Sequence, residues 1–360
     1  MEPVTHFLAG ACLGRSGCNR RTAYATLAMT LAAEAPDLDV FWSMRGPVAG
    51  FEHHRGITHT FLGAPFVALA VTGAVWSWHK LRRRAPPIPP RWGLVWFFSL
   101  LAVFSHIFLD WTNNYGVRPF FPFDPRWYSL DIAFILEPVI FLSLLFGLAI
   151  PGILGLADRE IGAPKTRFRG RKWAAGALLL TAFDLGFRAI EHHVGMERLQ
   201  SGAASSVPAV RVGLEPYPVN PFRWFAIVET KNYYLTGSVN LNGEAEEAGT
   251  LKRVVFKPPV TPAVRAAEGS WLGRVFLDWS EFPVVTDRGP ANGEGSNDLA
   301  PQPLDAAVEF RDLRFSYSVL SRGPASGLTA WVYVAPEQSS GGIPLRPIDA
   351  MVMGGSVQRP

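Results

Sequence analysis

The sequence predicts a mainly α-helical integral membrane domain followed by a C-terminal, extracytoplasmic β-rich domain. Three observations support this fold class. First, 48% of the 360 residues are hydrophobic and the mean hydropathy is +0.14, which is high for a soluble protein. Second, the long apolar runs are concentrated in residues 1–200. Third, residues 201–360 are more polar and are punctuated by Gly and Pro. We therefore place the domain boundary at residue 200.

The excess positive charge belongs to the apolar half of the chain. Residues 1–200 contain 20 Lys and Arg against 14 Asp and Glu, whereas residues 201–360 contain 14 against 16. Cations in short loops between apolar segments are typical of membrane topology, so we expect no nucleic-acid partner. The two cysteines, Cys12 and Cys18, are too few for a disulfide framework and have no second Cys/His pair at zinc-finger spacing.

The N-terminal segment lacks the basic region of a secretory signal peptide, so we expect it to be retained. It predicts a short helix that ends near Leu13. Residues 22–33 are apolar but too few to cross a membrane, which favours a re-entrant or packed hairpin with the first helix. Pro36 ends this segment, because proline and the residue before it disfavour further helix.

Four later apolar segments are candidate membrane spans, and the last is weaker because it contains Asp184 and Arg188. They are residues 60–79, 92–109, 139–156 and 173–190. Beyond them, alternating or β-rich character predicts strands in the C-terminal domain. These stretches are residues 223–241, 251–257, 307–320 and 328–335.

The basic loops at 15–21, 80–91 and 159–172 should face the cytoplasm under the positive-inside rule. Counting crossings from these loops places the β-rich domain outside. It also places every candidate ligand described below at the extracytoplasmic boundary. The ligand types played no part in the topology argument, so their convergence on one side is informative.

The strongest candidate metal ligands are His106 and Asp110. They are four residues apart, so on a helix they lie on one face, and an imidazole with a carboxylate can chelate a divalent cation. The pair ends an apolar run that starts at Trp92, where such groups are costly without partners. The alternative is a satisfied intramembrane hydrogen bond.

Other ligand types lie earlier in the chain. Asp37 and Asp39 in Ala-Pro-Asp-Leu-Asp are candidate ligands, or only a turn that stops a helix. In His-His-Arg-Gly-Ile-Thr-His-Thr, His59 is the first candidate and His54 the second; the alternative is a polar turn that caps the next helix. His6 on the first helix is a further candidate ligand, or a core histidine.

Three residues are candidates for catalysis rather than ligation. Arg55 can hold a phosphate or carboxylate by a bidentate contact, or can simply anchor an interface. Asp131 and Glu137 flank the start of the third strong apolar segment. They can act as a general base or orient ligating imidazoles, or they can pair with Arg118 or Arg126.

These motifs resemble the YdjM-type family of inner-membrane, metal-dependent hydrolases of bacteria. The resemblance covers roughly residues 1–160. It rests on Thr5-His6 with Gly10, Ala-Pro-Asp-Leu-Asp, the His-His-Arg-Gly-Ile-Thr-His-Thr run, and His106 to Asp110 followed by Trp-Thr-Asn-Asn-Tyr-Gly. Glu137 stands where the family pattern leads us to expect Asp.

The order His, Asp, His, HxxxD is also similar to the first part of the zinc phospholipase C and single-strand nuclease superfamily. Those enzymes use a multinuclear zinc site for phosphodiester cleavage. The later His and His-x-x-x-Glu/Asp ligands of that superfamily are not clearly present here, so we expect one or two ions.

Together these features predict a membrane-bound hydrolase that uses a divalent metal, with zinc preferred, to activate water. The expected substrate is an ester or phosphoester of a lipid or envelope component, and membrane lipid is the expected partner. The alternative is a non-catalytic membrane protein with a structural metal site and a partner-binding β domain.

Overall fold

A computed structural model describes residues 1–82, 85–162, 170–242, 251–290, 306–316, 328–336, 345–353 and 356–358. Two compact units are present. One comprises residues 1–39, 55–195 and 215–223, and the other comprises residues 40–54, 196–214 and 224–360. The sequence predicted a single boundary at residue 200. In the structure, residues 40–54 belong to the second unit and residues 215–223 belong to the first.

The described helices alternate with short 3-10 turns in the first half of the chain. They are α1 (Pro3–Arg15), α2 (Ala25–Glu34), α3 (Pro47–His53), α4 (Ala64–Leu81), α5 (Trp92–Thr112), α6 (Pro138–Glu160), α7 (Arg171–Ser201), α8 (Pro262–Glu268) and α9 (Trp271–Trp279). The turns span Cys18–Arg20, Ala35–Arg45, Ile57–His59 and Leu313–Phe315.

Three of the described helices, α5, α6 and α7, are long and apolar enough to cross a membrane. The count rises to four if α4 and the bent segment before it are taken as one span. The span predicted at residues 60–79 is realised as α4, which begins four residues later than expected. The Thr60 hydroxyl accepts a hydrogen bond from the Gly63 N–H (2.8 Å), and α4 begins only after this turn.

The two N-terminal helices pack against each other over glycines, as the hairpin prediction requires. A Cβ added to Gly10 would lie 2.5 Å from the Met29 carbonyl oxygen, and one added to Gly14 would lie 2.5 Å from Thr26 Cα. The backbones of α1 and α2 can approach this closely because neither position carries a side chain. A buried cluster that includes Met29, Phe98 and Ile107 joins α2, α4 and α5.

The basic loops meet at one end of the helical unit. The Arg91 N–H donates to Thr22 Oγ1 (2.7 Å), and Arg171 Nε donates to the Ser16 carbonyl (3.0 Å). The predicted loop residues 83–84 and 163–169 lie outside the described residues. His106 and Asp110 are in the last two turns of α5, so they lie at the opposite end of that helix from Arg91.

The second of the two units, called the C-terminal unit below, contains most of two sheets whose strands follow sequence order. The first has β1 (Arg211–Pro216), β2 (Arg223–Glu229), β3 (Tyr233–Asn240) and β4 (Arg253–Phe256). The second has β5 (Pro283–Pro290), β6 (Ala306–Asp312), β7 (Thr329–Pro336), β8 (Leu345–Met353) and β9 (Ser356–Gln358), all paired antiparallel.

The C-terminal unit also contains α8, α9 and the α3 segment. Phe51 of α3 contacts Phe276 and Trp279 of α9, with ring centroids 6.2 and 5.4 Å away. The predicted strand 307–320 is realised as β6 and a 3-10 turn, and residues 317–320 lie outside the described residues. A helical region with apolar spans followed by a β-rich region is confirmed.

Candidate metal centre

Four side chains from separate parts of the sequence form one group. Asp37, His59, His106 and Asp110 each offer a ligand atom, and these atoms lie within 4.8 Å of one another. Asp37 follows α2, His59 precedes α4, and His106 and Asp110 are on α5. The side chains of His59, His106 and Asp110 are fully buried, whereas that of Asp37 is 19% exposed.

The orientation of His106 is fixed by a backbone carbonyl. Its Nδ1 lies 2.7 Å from the carbonyl oxygen of Ala33 at the end of α2. A carbonyl can only accept, so Nδ1 carries the proton, and a neutral ring then has a lone pair on Nε2. That Nε2 points into the group.

His59 is oriented in a similar way by a carboxylate. Its Nδ1 lies 3.3 Å from Asp39 Oδ2 and 3.1 Å from Thr58 Oγ1. With the proton on Nδ1, the Nε2 lone pair of His59 faces that of His106 at 3.0 Å. Two neutral imidazole acceptors in this arrangement repel each other unless a cation or a proton lies between them.

The two carboxylates complete the group around these nitrogens. Asp37 Oδ1 lies 3.4 Å from His59 Nε2 and 3.5 Å from His106 Nε2. Asp110 Oδ2 lies 3.5 and 3.4 Å from the same two atoms. It is buried and makes no hydrogen bond.

Most of these separations are close to those expected around a single four-coordinate ion. Ligand bonds of about 2.0–2.2 Å in a tetrahedron place neighbouring ligand atoms roughly 3.3–3.6 Å apart. Of the six ligand–ligand distances, four lie in this interval, one is 3.0 Å, and the sixth, between Asp37 and Asp110, is at most 4.8 Å. The donor set of two imidazoles and two carboxylates therefore fits one divalent cation.

The charged side chains around the group also favour a bound cation. Arg55 donates to Asp110 Oδ1 (2.9 Å), to Asn113 Oδ1 (3.2 Å) and to the Gly116 carbonyl (2.8 Å). Its backbone N–H donates to Asp39 Oδ2 (2.7 Å). The three aspartates of this region therefore outnumber the one guanidinium beside them.

Asp37 is ionised in this setting. Burial alone would favour its protonated form, but Arg55 and the two imidazoles, with a proton between their Nε2 atoms, stabilise the carboxylate and lower its pKa to about 2. A metal ligand must be deprotonated, so Asp37 is available for binding across the neutral pH range.

His6 lies beside the group without belonging to it. Its Nε2 is 3.2 Å from Asp110 Oδ1, and its ring stacks on that of His106 with centroids 3.8 Å apart. The buried Nδ1 of His6 makes no hydrogen bond. The amino group of Met1 also contacts Asp110 Oδ1. His6 therefore helps to position Asp110, and Asp39 helps to position His59.

Two other predicted site residues have different surroundings. The backbone N–H of His54 donates to the Gly50 carbonyl (2.9 Å), and His54 belongs to the C-terminal unit. Glu137 is buried, forms an ion pair with Arg188 (3.0 Å) and accepts from the Val219 N–H (3.1 Å). Burial raises the pKa of Glu137, and the Arg188 charge opposes that shift. These contacts show a structural ion pair at Glu137.

Asp131 lies on a loop that follows the end of α5. The N–H groups of Leu130 and Ile132 donate to the carbonyls of Trp111 and Thr112, at 2.8 and 3.0 Å. Asp131 between them is half-buried and has a left-handed backbone with φ 53°. The loop is thereby fixed against the turn of α5 that follows Asp110.

Sequence reasoning missed the residues that support the group. They are the Ala33 carbonyl, Thr58, Asn113, Tyr115 and Gly116. The Asn-Asn-Tyr-Gly stretch directly after Asp110 is the available signal, since Asn113 accepts from Arg55 and from the Tyr115 N–H (2.9 Å). The Arg55 guanidinium also lies over the Tyr115 ring, 4.7 Å from its centroid. Nothing in the sequence identifies a backbone carbonyl such as that of Ala33 as a partner.

Apolar helices of membrane length and a buried group of histidines and aspartates define a membrane protein with a candidate metal centre. The chain belongs to the YdjM inner membrane protein family, whose family profile matches residues 1–194. That match covers more than half of the chain, including all four residues of the group.

A relative in Bacillus subtilis (strain 168), described as "Uncharacterized protein YfhP", is 29% identical over 171 residues. The alignment covers 44% of this chain and 50% of the relative, so the chain spans about half the length of that protein. No solved structure matches. The comparisons support the resemblance to the YdjM family and do not show the similarity to the zinc phospholipase C superfamily.

Proposed function

We propose that the protein is a membrane-bound hydrolase that depends on one divalent metal ion, zinc by preference. Its substrate class is an ester or phosphoester of a lipid or envelope component. The observation that supports this proposal is the pair of imidazole Nε2 atoms 3.0 Å apart, grouped with two carboxylates so that all four ligand atoms lie within 4.8 Å of one another. Two imidazoles and two carboxylates, without thiolates, suit zinc and other borderline or hard divalent ions.

His59, His106 and Asp110 would hold the ion from the buried side, and Asp37 would hold it from the side that opens to solvent. A bound divalent ion supplies Lewis acidity, which activates a water molecule and polarises the ester or phosphoester group. Asp37 is the partly exposed member of the group, so water and substrate would approach the ion from its side. Catalytic zinc sites typically keep three protein ligands and one exchangeable position.

Asp131 is the residue that we assign to accept the proton of the attacking water. Its loop is fixed against the end of α5, whereas Glu137 is engaged by Arg188. Arg55 orients Asp110 through its contact with Oδ1, so Oδ2 remains directed at the group. We place this centre and the β-rich unit on the extracytoplasmic side, because the basic loops lie at the opposite end of α5.

The first prediction tests metal binding and activity together. His59→Ala and His106→Ala should each lose most of the bound metal and all metal-dependent hydrolysis, because each removes a buried ligand. Asp131→Asn should keep its metal and lower kcat by about 10²–10⁴-fold, the usual contribution of a general base. Metal is measured by plasma mass spectrometry on detergent-purified protein, and hydrolysis with phosphodiester, carboxylic ester and phospholipid substrates. His193→Ala, an exposed histidine in α7, is the matched control.

The same variants distinguish the alternative, a non-catalytic protein with a structural metal site. The observation that favours it is the complete burial of three of the four ligands. Asp37→Asn decides between the two. An exchangeable ligand predicts a protein that retains metal with altered activity. A closed structural shell predicts loss of metal and of thermal stability together, and no hydrolysis in the wild-type protein.

A further inference from the structure

A second site lies in a groove where α6 ends and α7 begins. It is a cavity of about 390 Å³. Three cations line it, Arg20 from the turn after α1 and Arg171 and Lys172 from the start of α7. Asp158 of α6 is the acidic residue in its wall. The groove therefore carries a net positive charge from these four side chains, which suits an anion.

The backbone at this groove approaches closely enough to shape it. Gly170 has a φ of 92°, and a Cβ at that position would lie 3.0 Å from the Pro151 ring. Only glycine combines this conformation with this approach. Arg171 Nε donates to the Ser16 carbonyl (3.0 Å), which fixes the start of α7 against the turn after α1. The Arg171 side chain is thus held at the groove by the fold.

Apolar side chains adjoin the cations on the outer surface of the helices. Trp173 is 46% exposed and Leu154 is 47% exposed, and both line the groove. Ile153 and Leu156, one residue before and two residues after Leu154 on α6, are 64% and 59% exposed. Large exposed apolar residues on a membrane-length helix face acyl chains, and tryptophan is typical of the depth of lipid headgroups.

We propose that this groove binds an anionic phospholipid. Its phosphate would contact Arg20, Arg171 and Lys172, and its acyl chains would lie along the exposed face of α6. Basic pockets between membrane helices on the cytoplasmic side bind anionic headgroups in this way. The groove lies where the basic loops meet, and it makes no use of the metal centre. A free phosphate would satisfy the cations but not the apolar wall, which is why we assign a lipid.

Native mass spectrometry and ligand titration of the full-length protein in neutral detergent test the proposal. The probes are phosphatidylglycerol, phosphatidylcholine and water-soluble glycerol phosphate. We expect phosphatidylglycerol to bind at least about tenfold more tightly than either of the others, since each nearby cation strengthens the attraction of an anionic lipid and the apolar wall holds its chains.

The variant R20Q/R171Q/K172Q should weaken phosphatidylglycerol binding by about tenfold or more, and added salt should weaken it in the wild type. K231Q/R265Q/R274Q neutralises three exposed cations of the C-terminal unit and is the matched control. R20K/R171K keeps the charge and should retain binding, which separates lost charge from misfolding. Equal binding by the triple variant and its control would overturn the proposal. Equal affinity for glycerol phosphate would replace the lipid by a free phosphate.

Discussion

The partners of the two imidazole Nδ1 atoms direct both Nε2 atoms into the metal centre. The Ala33 carbonyl holds Nδ1 of His106, and Asp39 with Thr58 holds Nδ1 of His59. In proteins that bind metals, a partner on one ring nitrogen orients the other nitrogen and strengthens it as a ligand. Asp39 was predicted as a ligand, but its contacts with His59 and the Arg55 N–H give it a supporting position instead.

Asp39→Asn tests that supporting position. Asparagine keeps the shape and can still accept from the Arg55 N–H, but it removes the negative charge beside His59 Nδ1. We expect metal affinity to fall by about 10–100-fold, the usual effect of losing such a partner. Competition with a chromogenic chelator measures the dissociation constant. Thr58→Val removes the other contact of the same nitrogen and should have a smaller effect. A dissociation constant unchanged in Asp39→Asn would show that Asp39 does not orient His59.

The sequence identified most of the titratable members of this centre and few of their partners. His106 and Asp110 could be paired because four-residue spacing on a helix fixes their relation. Glu137 was predicted as a candidate base, but it forms an ion pair with Arg188. This partner is 51 positions away, and only the packing of α6 against α7 brings the two side chains together. Contacts with backbone carbonyls leave no trace in residue type, so Ala33 could not be predicted.

Helices α1 and α2 connect the folding of the N-terminal region to the metal centre. The Ala33 carbonyl belongs to α2, and Asp37 follows that helix by three residues. The position of α2 is set by its close approach to Gly10 on α1. Any change that separates these helices therefore moves both a ligand and the partner of a second ligand.

Gly10→Ala should accordingly weaken metal binding and lower the thermal unfolding midpoint. The new Cβ would lie 2.5 Å from the Met29 carbonyl oxygen and 2.6 Å from Ala33 Cβ, so the helices must separate. Gly73→Ala in α4 is the matched control, because nothing lies within 4 Å of the new Cβ. On helix propensity alone this control should be neutral or stabilising by about 0.5–1 kcal/mol. Differential scanning fluorimetry and metal stoichiometry compare the two. Similar behaviour of both variants would exclude close helix packing as a determinant of the centre.

Long apolar helices were predictable because length and hydropathy alone define them. The start of residues 35–45 was interpreted as a helix stop with two candidate ligands, and the regular 3-10 structure of this segment was not predicted. The helices α8 and α9 were missed because a β-rich texture dominated that part of the sequence. Thr261 and Ser270, which accept from Val264 N–H and Gly273 N–H at their N-termini, are the local signals that sequence reading could have used.

The division of the whole chain depends on contacts that a sequence does not display. Residues 40–54 lie among the helices in sequence, but Phe51 packs with Phe276 and Trp279, more than 200 positions later. Composition therefore located a boundary near residue 200 and could not assign this inserted segment. The distribution of charged residues, by contrast, can be taken directly from the sequence, and it predicts how the protein crosses the membrane.

Cysteine labelling tests that topology. Ala85 lies beside basic residues at the end of the helical unit where the loops meet, and Lys231 lies between β2 and β3; both are exposed. If α6 and α7 each cross once, residues after α7 lie on the opposite side from the loop that joins these helices. The positive-inside rule places that loop in the cytoplasm.

In a background that lacks Cys12 and Cys18, an impermeant maleimide added to spheroplasts should modify Lys231→Cys, whereas Ala85→Cys should react only after lysis. Labelling of Ala85→Cys alone before lysis would invert the topology. Equal labelling at both positions would show that an even number of crossings separates them. The metal centre and the basic loops would then not be assigned to opposite sides of the membrane.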